Sequence, residues 1–139
     1  MITVDTIKRG SKNGLNTVLE LAKVIIPVYF IVTVLKATNV LDYISTFFEP
    51  FMKLFGLPGE AAVPLVLGNV LNIYAAIGAI SSITLTAKQI TIIAVMLSFS
   101  HTLPVETAVS KKVGVSVVVV LAVRIGLALL AGIILNIVI

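Results

Sequence analysis

The sequence contains no cysteine and only one histidine, His101. Without cysteine the chain has no disulfide, no thiolate metal ligand and no cysteine nucleophile, so redox chemistry is not expected. A single histidine, with no paired acids at metal-ligand spacing, also argues against a metal site. No metal and no cofactor are therefore predicted, and a membrane enzyme is the least favoured function.

Charged residues are scarce as well. They make up 12% of the 139 residues, whereas 59% are hydrophobic and the mean hydropathy is +1.19. A soluble domain of this size cannot hide so much apolar surface, so the lipid bilayer is expected to be the solvent for most of it. The net charge of +4 comes from ten scattered Lys and Arg residues. Because they form no basic face with interleaved aromatics, nucleic acid is not an expected partner.

Long apolar stretches predict an all-α integral membrane protein, with residues 1–139 forming one membrane-embedded domain. About four transmembrane helices are expected, over residues 15–35, 60–83, 89–111 and 113–139, and the second of them is either continuous or re-entrant. Residues 40–55 are too polar to cross lipid comfortably and contain Pro50, so they predict an interfacial helix pair with aromatic anchors. Residues 1–14 form a polar segment without the features of a removable signal peptide. We therefore expect a multi-pass protein of the cell membrane.

The third span is expected to break in the middle of the membrane. Thr86 and Gln89 have the spacing of a capping box, which predicts the start of a helix. The apolar run that follows meets Ser100, His101 and Pro104. His101 lies roughly 18 Å from Gln89 by helical rise, near the midplane of a ~30 Å core. A helix terminus at this depth could meet a polar solute, and the alternative is a hydrogen-bonded histidine with a structural role.

Arg124 is the charge that the last span places deep in the bilayer. It lies roughly 16 Å beyond Val113 by helical rise, where a charge is costly unless it has a partner or water. Glu106 is the preferred partner, because Pro104 restarts the helix and leaves this acid in its first turn. The alternative is that Arg124 snorkels to a headgroup, or only fixes helix packing through that pair.

Asn69 and Asn72 are the polar residues of the second span. Three residues correspond to about 300° of helix, so both amides are expected on one face that looks into protein. Such residues often only hold membrane helices together, and the neighbouring Gly68 permits close approach. Combined with the broken third span, however, they resemble the arrangement of polar residues and helix ends in a transporter substrate site. The predicted solute-binding residues are Asn69, Asn72, Ser100, His101, Glu106 and Arg124.

Three short strings resemble the nucleoside recognition, or Gate, family. They are residues 56–62 (GLPGEAA), 68–72 (GNVLN) and 100–106 (SHTLPVE), and the resemblance covers most of residues 14–139. That family includes small membrane proteins such as the spore maturation proteins, and related modules are recognised in concentrative nucleoside transporters and ferrous-iron transporter B. The larger transporters contain additional helices and hairpins. The resemblance therefore implies that this chain is a half-unit, with a nucleoside or related metabolite as its solute.

Basic residues beside the predicted spans give almost no positive-inside bias. Five lie on one side and four on the other: Lys8, Arg9, Lys12, Lys23 and Lys88 against Lys36, Lys53, Lys111 and Lys112. A weak bias allows insertion in both orientations, and an antiparallel homodimer would then recreate an inverted repeat. The alternatives are a single orientation with a related Gate-type partner subunit, or with more copies of the same chain.

The leading function is a membrane transport or permeation module, a homo-oligomer that binds a small polar solute near the bilayer midplane. The alternative from another class is a structural or regulatory membrane partner protein with no transport of its own. In that case the polar residues lock helices together and the interfacial segment docks another protein.

Overall fold

The computed structural model describes residues 4–139, which form α-helices joined by short turns. Within this range lie α1 (Val4–Ala37), α2 (Val40–Met52), α3 (Ala62–Val70), α4 (Ile73–Ile80), α5 (Ala87–Ser100), α6 (Leu103–Lys112) and α7 (Val117–Val138). Two short 3-10 turns, Lys53–Phe55 and Gly59–Ala61, connect α2 to α3. The predicted all-α fold is confirmed.

Three segments are long and apolar enough to cross a membrane: α1, the α5–α6 pair and α7. Helices α2 and α3, with their 3-10 turns, meet the same criterion only as a pair bent by 87°, which raises the number of candidate spans to four. The protein is a multi-pass membrane protein, as predicted. Because α1 begins at Val4, the polar N-terminal segment is a helical extension of the first span, and residues 1–3 lie outside the described residues.

Helices α3 and α4 fold back on each other as a helical hairpin. A Cβ built on Gly68 would lie 3.1 Å from the Cβ of Ala76, whereas a continuous helix would separate these two positions by about 12 Å. The span predicted over residues 60–83 is therefore two helices of nine and eight residues, with Asn72 at the turn between them. Each arm is about 12 to 14 Å long, which is close to half the thickness of a ~30 Å hydrocarbon core.

The hairpin packs against other helices at glycine contacts. A Cβ built on Gly78 would lie 2.8 Å from the carbonyl oxygen of Ile25, so α4 approaches the backbone of α1. On the other arm, a Cβ at Gly68 would lie 2.6 Å from a methyl carbon of Leu97 in α5. Larger residues at either position would push the helices apart, since small residues are what allow membrane helices to pack closely.

Residues 40–55 form helix α2 and the 3-10 turn Lys53–Phe55. Pro50 lies inside α2 instead of interrupting it, two residues before the helix ends at Met52. Tyr43 and Phe47 have exposed rings, as aromatic anchors at a membrane interface require.

Polar contacts tie the loop after α2 to the start of α5 and the end of α7. The Lys88 ammonium donates to the carbonyl of Asn136 at 3.0 Å, and the Asn136 side-chain amide donates to the carbonyl of Leu54 at 3.3 Å. The side-chain amide of Gln89 donates to the carbonyl of Gly56 at 3.5 Å. We call these five residues the Lys88 cluster. It marks one end of the molecule.

This arrangement changes how basic residues are distributed between the two ends. Because the α3–α4 hairpin returns to the end from which it starts, Lys53 and Lys88 share one end, whereas the sequence-based count placed them on opposite sides. Lys36 joins them, since Val32, one turn earlier, packs with Ala79 near the end of α4. The count of five against four is therefore wrong. Three basic residues lie at this end, and six lie toward the other: Lys8, Arg9, Lys12, Lys23, Lys111 and Lys112.

Candidate functional site

The chain breaks between α5 and α6, at the position predicted. The backbone of His101 is extended (φ −63°, ψ 155°), and that of Thr102 is left-handed (φ 51°), which is sterically costly for a residue with a β-carbon. Pro104 then lies in the first turn of α6, where its missing N–H is not needed. The amide of Thr102 donates to the carbonyl of Gly68 at 3.0 Å. The break is therefore joined directly to the end of the α3 arm.

Arg124 of α7 holds this break. Its Nε donates to the carbonyl of Phe99 at 2.9 Å, and its Nη2 donates to the carbonyl of His101 at 3.3 Å. Its Nη1 donates to Oε2 of Glu106 at 2.6 Å, so the predicted ion pair is confirmed. The last carbonyls of α5 have no helical partner, and the dipole of that helix favours a cation at its C-terminal end. The guanidinium satisfies both requirements at once.

The ion pair is open on one side. The side chain of Arg124 is 20% exposed and that of Glu106 is 45% exposed. At this depth, exposure means contact with lipid tails unless water or protein intervenes, and an ionised group against hydrocarbon is costly. The pair therefore marks a face of the molecule that requires a polar covering.

Ser100 and His101 each bond to the preceding turn of α5. Nδ1 of His101 lies 2.9 Å from the carbonyl of Leu97, so this nitrogen carries a proton and donates it. Ser100 is 3% exposed, and its hydroxyl donates to the carbonyl of Met96 at 3.0 Å. That bond uses the only proton of the hydroxyl and leaves its oxygen able to accept from a bound group.

The two asparagines of the hairpin have different roles. Asn72 is the N-cap of α4, and its Oδ1 accepts from the amide of Ala75 at 2.9 Å. Asn69 lies in α3, and its buried Oδ1 has no hydrogen-bond partner among residues 4–139. The prediction that both amides share one helix face is wrong, because the helix ends between them. The Asn72 side chain competes with helical hydrogen bonding by capping a new helix, which favours a turn at this point.

A cavity of about 200 Å³ lies where the α3 arm, the break and α7 meet. Asn69 and Ser100 are the polar residues of its lining. The rest of the wall is apolar and includes Met52, Leu65, Met96, Leu103 and Ile125. A concave, mostly apolar space with a few polar groups is the usual form of a site for a small molecule.

The structure thus divides the six predicted residues into three groups. Glu106, Arg124 and the carbonyl of His101 form the ion-pair site, and Asn69 and Ser100 line the cavity. Asn72 caps a helix instead. The carbonyl of Phe99 was missed because every residue carries a carbonyl. The one signal was Pro104, since a helix restarting there leaves the last carbonyls of α5 unpaired.

Comparison with known proteins gives the family. The family model described as nucleoside recognition, Gate, matches residues 18–127. The chain belongs to the Gate family. The membrane protein YvoD of Bacillus subtilis (strain 168) is 50% identical to it over 129 residues, which are 93% of this chain and 41% of YvoD.

A second relative is the inner membrane protein YjiG of Escherichia coli (strain K12). It is 34% identical over 73 residues, which are 50% of this chain and 47% of YjiG. The Gate-family chain described here therefore spans less than half the length of these two relatives. No solved structure matches it.

Proposed function

We propose that this Gate-family protein is a transport or permeation module that binds a small polar solute near the bilayer midplane. The proposal rests on the cavity beside the break, whose lining includes Asn69, a residue with a buried and unpaired side-chain oxygen. A buried acceptor without a partner costs about 1–3 kcal/mol, so a solute N–H or O–H that reached this oxygen would recover that cost. The oxygen of Ser100 offers a second acceptor on the same wall.

A nucleoside or related metabolite is the solute class that fits this lining best. Such molecules carry N–H and O–H donors on a body with flat apolar faces, which matches an apolar lining that also includes Asn69 and Ser100. The description of the family as nucleoside recognition supports the same class.

A second unit completes the site in this proposal. The carboxylate of Glu106 is half exposed on a surface that otherwise faces lipid, and a polar surface of another unit would cover it. Six basic residues against three favour one orientation in the membrane. A related Gate-type subunit of opposite orientation is therefore a stronger candidate for the second unit than an antiparallel copy of this chain.

Orientation can be tested because the chain contains no native cysteine. Single cysteines introduced next to Lys12 and next to Lys112 are labelled in intact cells with a reagent that does not cross membranes. We expect both positions to be protected from outside, as the positive-inside rule requires for the end with more basic residues. Labelling of each position in about half of the molecules would restore the antiparallel homodimer.

Transport is tested with purified protein in liposomes and a panel of nucleosides, amino acids and ions. We expect flux of at least one nucleoside, reduced by Asn69→Leu and by Arg124→Ala. Lys88→Ala is the matched control, because it removes a cation that also caps a helix but lies in the Lys88 cluster, away from the cavity. Absence of flux together with absence of solute-dependent thermal stabilisation for every compound would overturn the proposal.

A structural or regulatory role is the second candidate, and one observation favours it. Five of the six predicted residues already have hydrogen-bond partners within the chain. Polar groups that already have partners need no solute, and holding helices together is then a sufficient role for them. The liposome experiment separates the two candidates, because a purely structural role predicts that no solute crosses or binds.

A further inference from the structure

Three acceptors at the break between α5 and α6 converge on one cation. They are the carbonyl oxygens of Phe99 and His101 and the carboxylate of Glu106, and all three bond to Arg124. Unwound carbonyls and the C-terminal end of a half-helix are the groups that coordinate Na⁺ or another coupling cation in broken membrane helices. Here the cation in that position belongs to the protein itself.

We propose that Arg124 acts as a built-in cation in place of a coupling ion, so that the protein binds and moves its solute without Na⁺ or K⁺. The inference deepens the proposed function and rests on it for its transport part. Arg124 is assigned as a positioning residue that fixes the break beside the cavity. It is not assigned as a group that touches the solute.

The charges around the break balance only with the guanidinium present. The C-terminal end of α5 contributes a partial negative charge of about half a unit, and Glu106 contributes a full one. The N-terminal end of α6 offers a partial positive charge of about half a unit, which stabilises the carboxylate in its first turn. Without Arg124 the site would keep about one uncompensated negative charge near mid-membrane, which is costly. With Arg124 it is close to neutral and has no requirement for a mobile ion.

The shape of the guanidinium also suits this place better than a metal ion would. Its nitrogens form a rigid planar fork that points in three directions, and here each of three nitrogens has its own acceptor, at 2.9, 3.3 and 2.6 Å. A single metal ion would instead require all three oxygens to approach one point, at distances shorter than these nitrogen–oxygen distances. When the Arg124 side chain is removed, a small guanidinium compound should therefore restore thermal stability, and Na⁺ should restore less of it.

The first test measures thermal unfolding of the purified protein in detergent and does not depend on transport. For the wild type we expect the same Tm in NaCl, KCl and choline chloride at equal ionic strength. Arg124→Ala should lower the Tm by several degrees, and millimolar methylguanidinium should restore part of the loss. The double variant Arg124→Ala with Glu106→Gln should show no such recovery, because it lacks the carboxylate that would bind the added cation.

Two results would overturn the inference. One is a wild-type Tm that rises with Na⁺ or K⁺ concentration relative to choline. The other is an Arg124→Ala protein that responds to methylguanidinium no more than the double variant does. If Arg124→Ala does not fold, Arg124→Lys replaces it. Lysine keeps the charge but loses the planar fork, so we expect a lowered Tm that still does not respond to Na⁺ or K⁺.

The second test repeats the liposome flux in the same three salts. We expect equal wild-type flux in each, and a loss of at least about tenfold for Arg124→Ala, the effect of losing one charge-assisted hydrogen bond. If the wild-type flux disappeared in choline chloride, the inference about Arg124 would be wrong, but the proposed transport function would still stand. No flux in any salt would instead count against the proposed function, and the thermal test would still decide whether Arg124 replaces a cation.

Discussion

Two cations in this protein cap the C-terminal end of a helix, and they differ in depth. Lys88 donates to a carbonyl in the last turns of α7, within the polar Lys88 cluster at one end of the molecule. Arg124 donates to two carbonyls at the end of α5, where the chain breaks between α5 and α6. The chemistry is the same, but water can replace the lysine at the membrane surface and cannot readily replace the arginine. The depth of each cation in the membrane therefore determines how much its contact contributes to the stability of the protein.

The two regions also differ in what they leave unsatisfied. In the Lys88 cluster, side chains donate to the backbone carbonyls of Leu54, Gly56 and Asn136, and the contacts hold three chain segments together. The centre instead keeps an unpaired oxygen on Asn69 and a half-exposed carboxylate on Glu106. An unpaired acceptor and a half-exposed carboxylate are both costly in apolar surroundings, and in the proposed function the centre keeps them to bind the solute and a second unit.

The largest expected difference between the regions is in the two cations themselves. Arg124→Ala should lower the free energy of unfolding in detergent by about 2–4 kcal/mol, because it leaves Glu106 and two carbonyls unpaired in a largely apolar site. Lys88→Ala should cost about 1 kcal/mol or less, as for a cation near an accessible helix end. Chemical or thermal unfolding of both variants measures the difference. Equal losses would mean that depth does not distinguish the two caps.

The next effect is the coupling between Arg124 and its acid. A double-mutant cycle with Glu106→Gln and Arg124→Ala should give a coupling energy of about 1–2 kcal/mol, since the pair is partly desolvated. The chain offers a matched control in Glu49, near the end of α2, and Lys53, which follows α2. They form an ion pair of 2.8 Å in which the lysine side chain is 70% exposed, against 20% for Arg124. Its cycle should give about 0.5 kcal/mol or less. Coupling no larger at the centre than on α2 would remove the claim that the central pair is special.

Sequence patterns predicted the features that depend on local chemistry. Thr86 and Gln89 form the expected capping box, and the third span breaks where Pro104 requires it. The pairing of Arg124 with Glu106 followed from the cost of an isolated charge in lipid and from the position of Glu106 as the nearest acid in sequence, in the first turn after Pro104. Each of these predictions needed only short-range geometry or a single energetic rule.

The α3–α4 hairpin could not be predicted in this way. Residues 60–83 are apolar enough for one span. In the sequence Asn72 is an ordinary polar residue within that span, and nothing beside it marks the end of a helix. Besides the Asn72 cap, the turn is accompanied by packing of one arm on the other, including the contact between Gly68 and Ala76, and such contacts cannot be deduced from sequence periodicity. The same error placed Lys88, Lys111 and Lys112 at the wrong ends, because a hairpin returns the chain to the end from which it starts and a span does not.

The smallest expected effect concerns the two asparagines, which were predicted to act together. Asn72→Ala removes the cap of α4 and should lower the free energy of unfolding by about 1 kcal/mol. Asn69→Leu removes an acceptor that has no partner among the described residues, so stability should change by less than about 0.5 kcal/mol or should rise. In the proposed function only Asn69→Leu loses solute binding. Asn72→Ala therefore lowers stability without affecting binding, whereas Asn69→Leu abolishes binding without lowering stability. If Asn69→Leu destabilised the protein as much as Asn72→Ala does, its oxygen would have to be satisfied within the chain, and the centre would differ from the Lys88 cluster in depth alone.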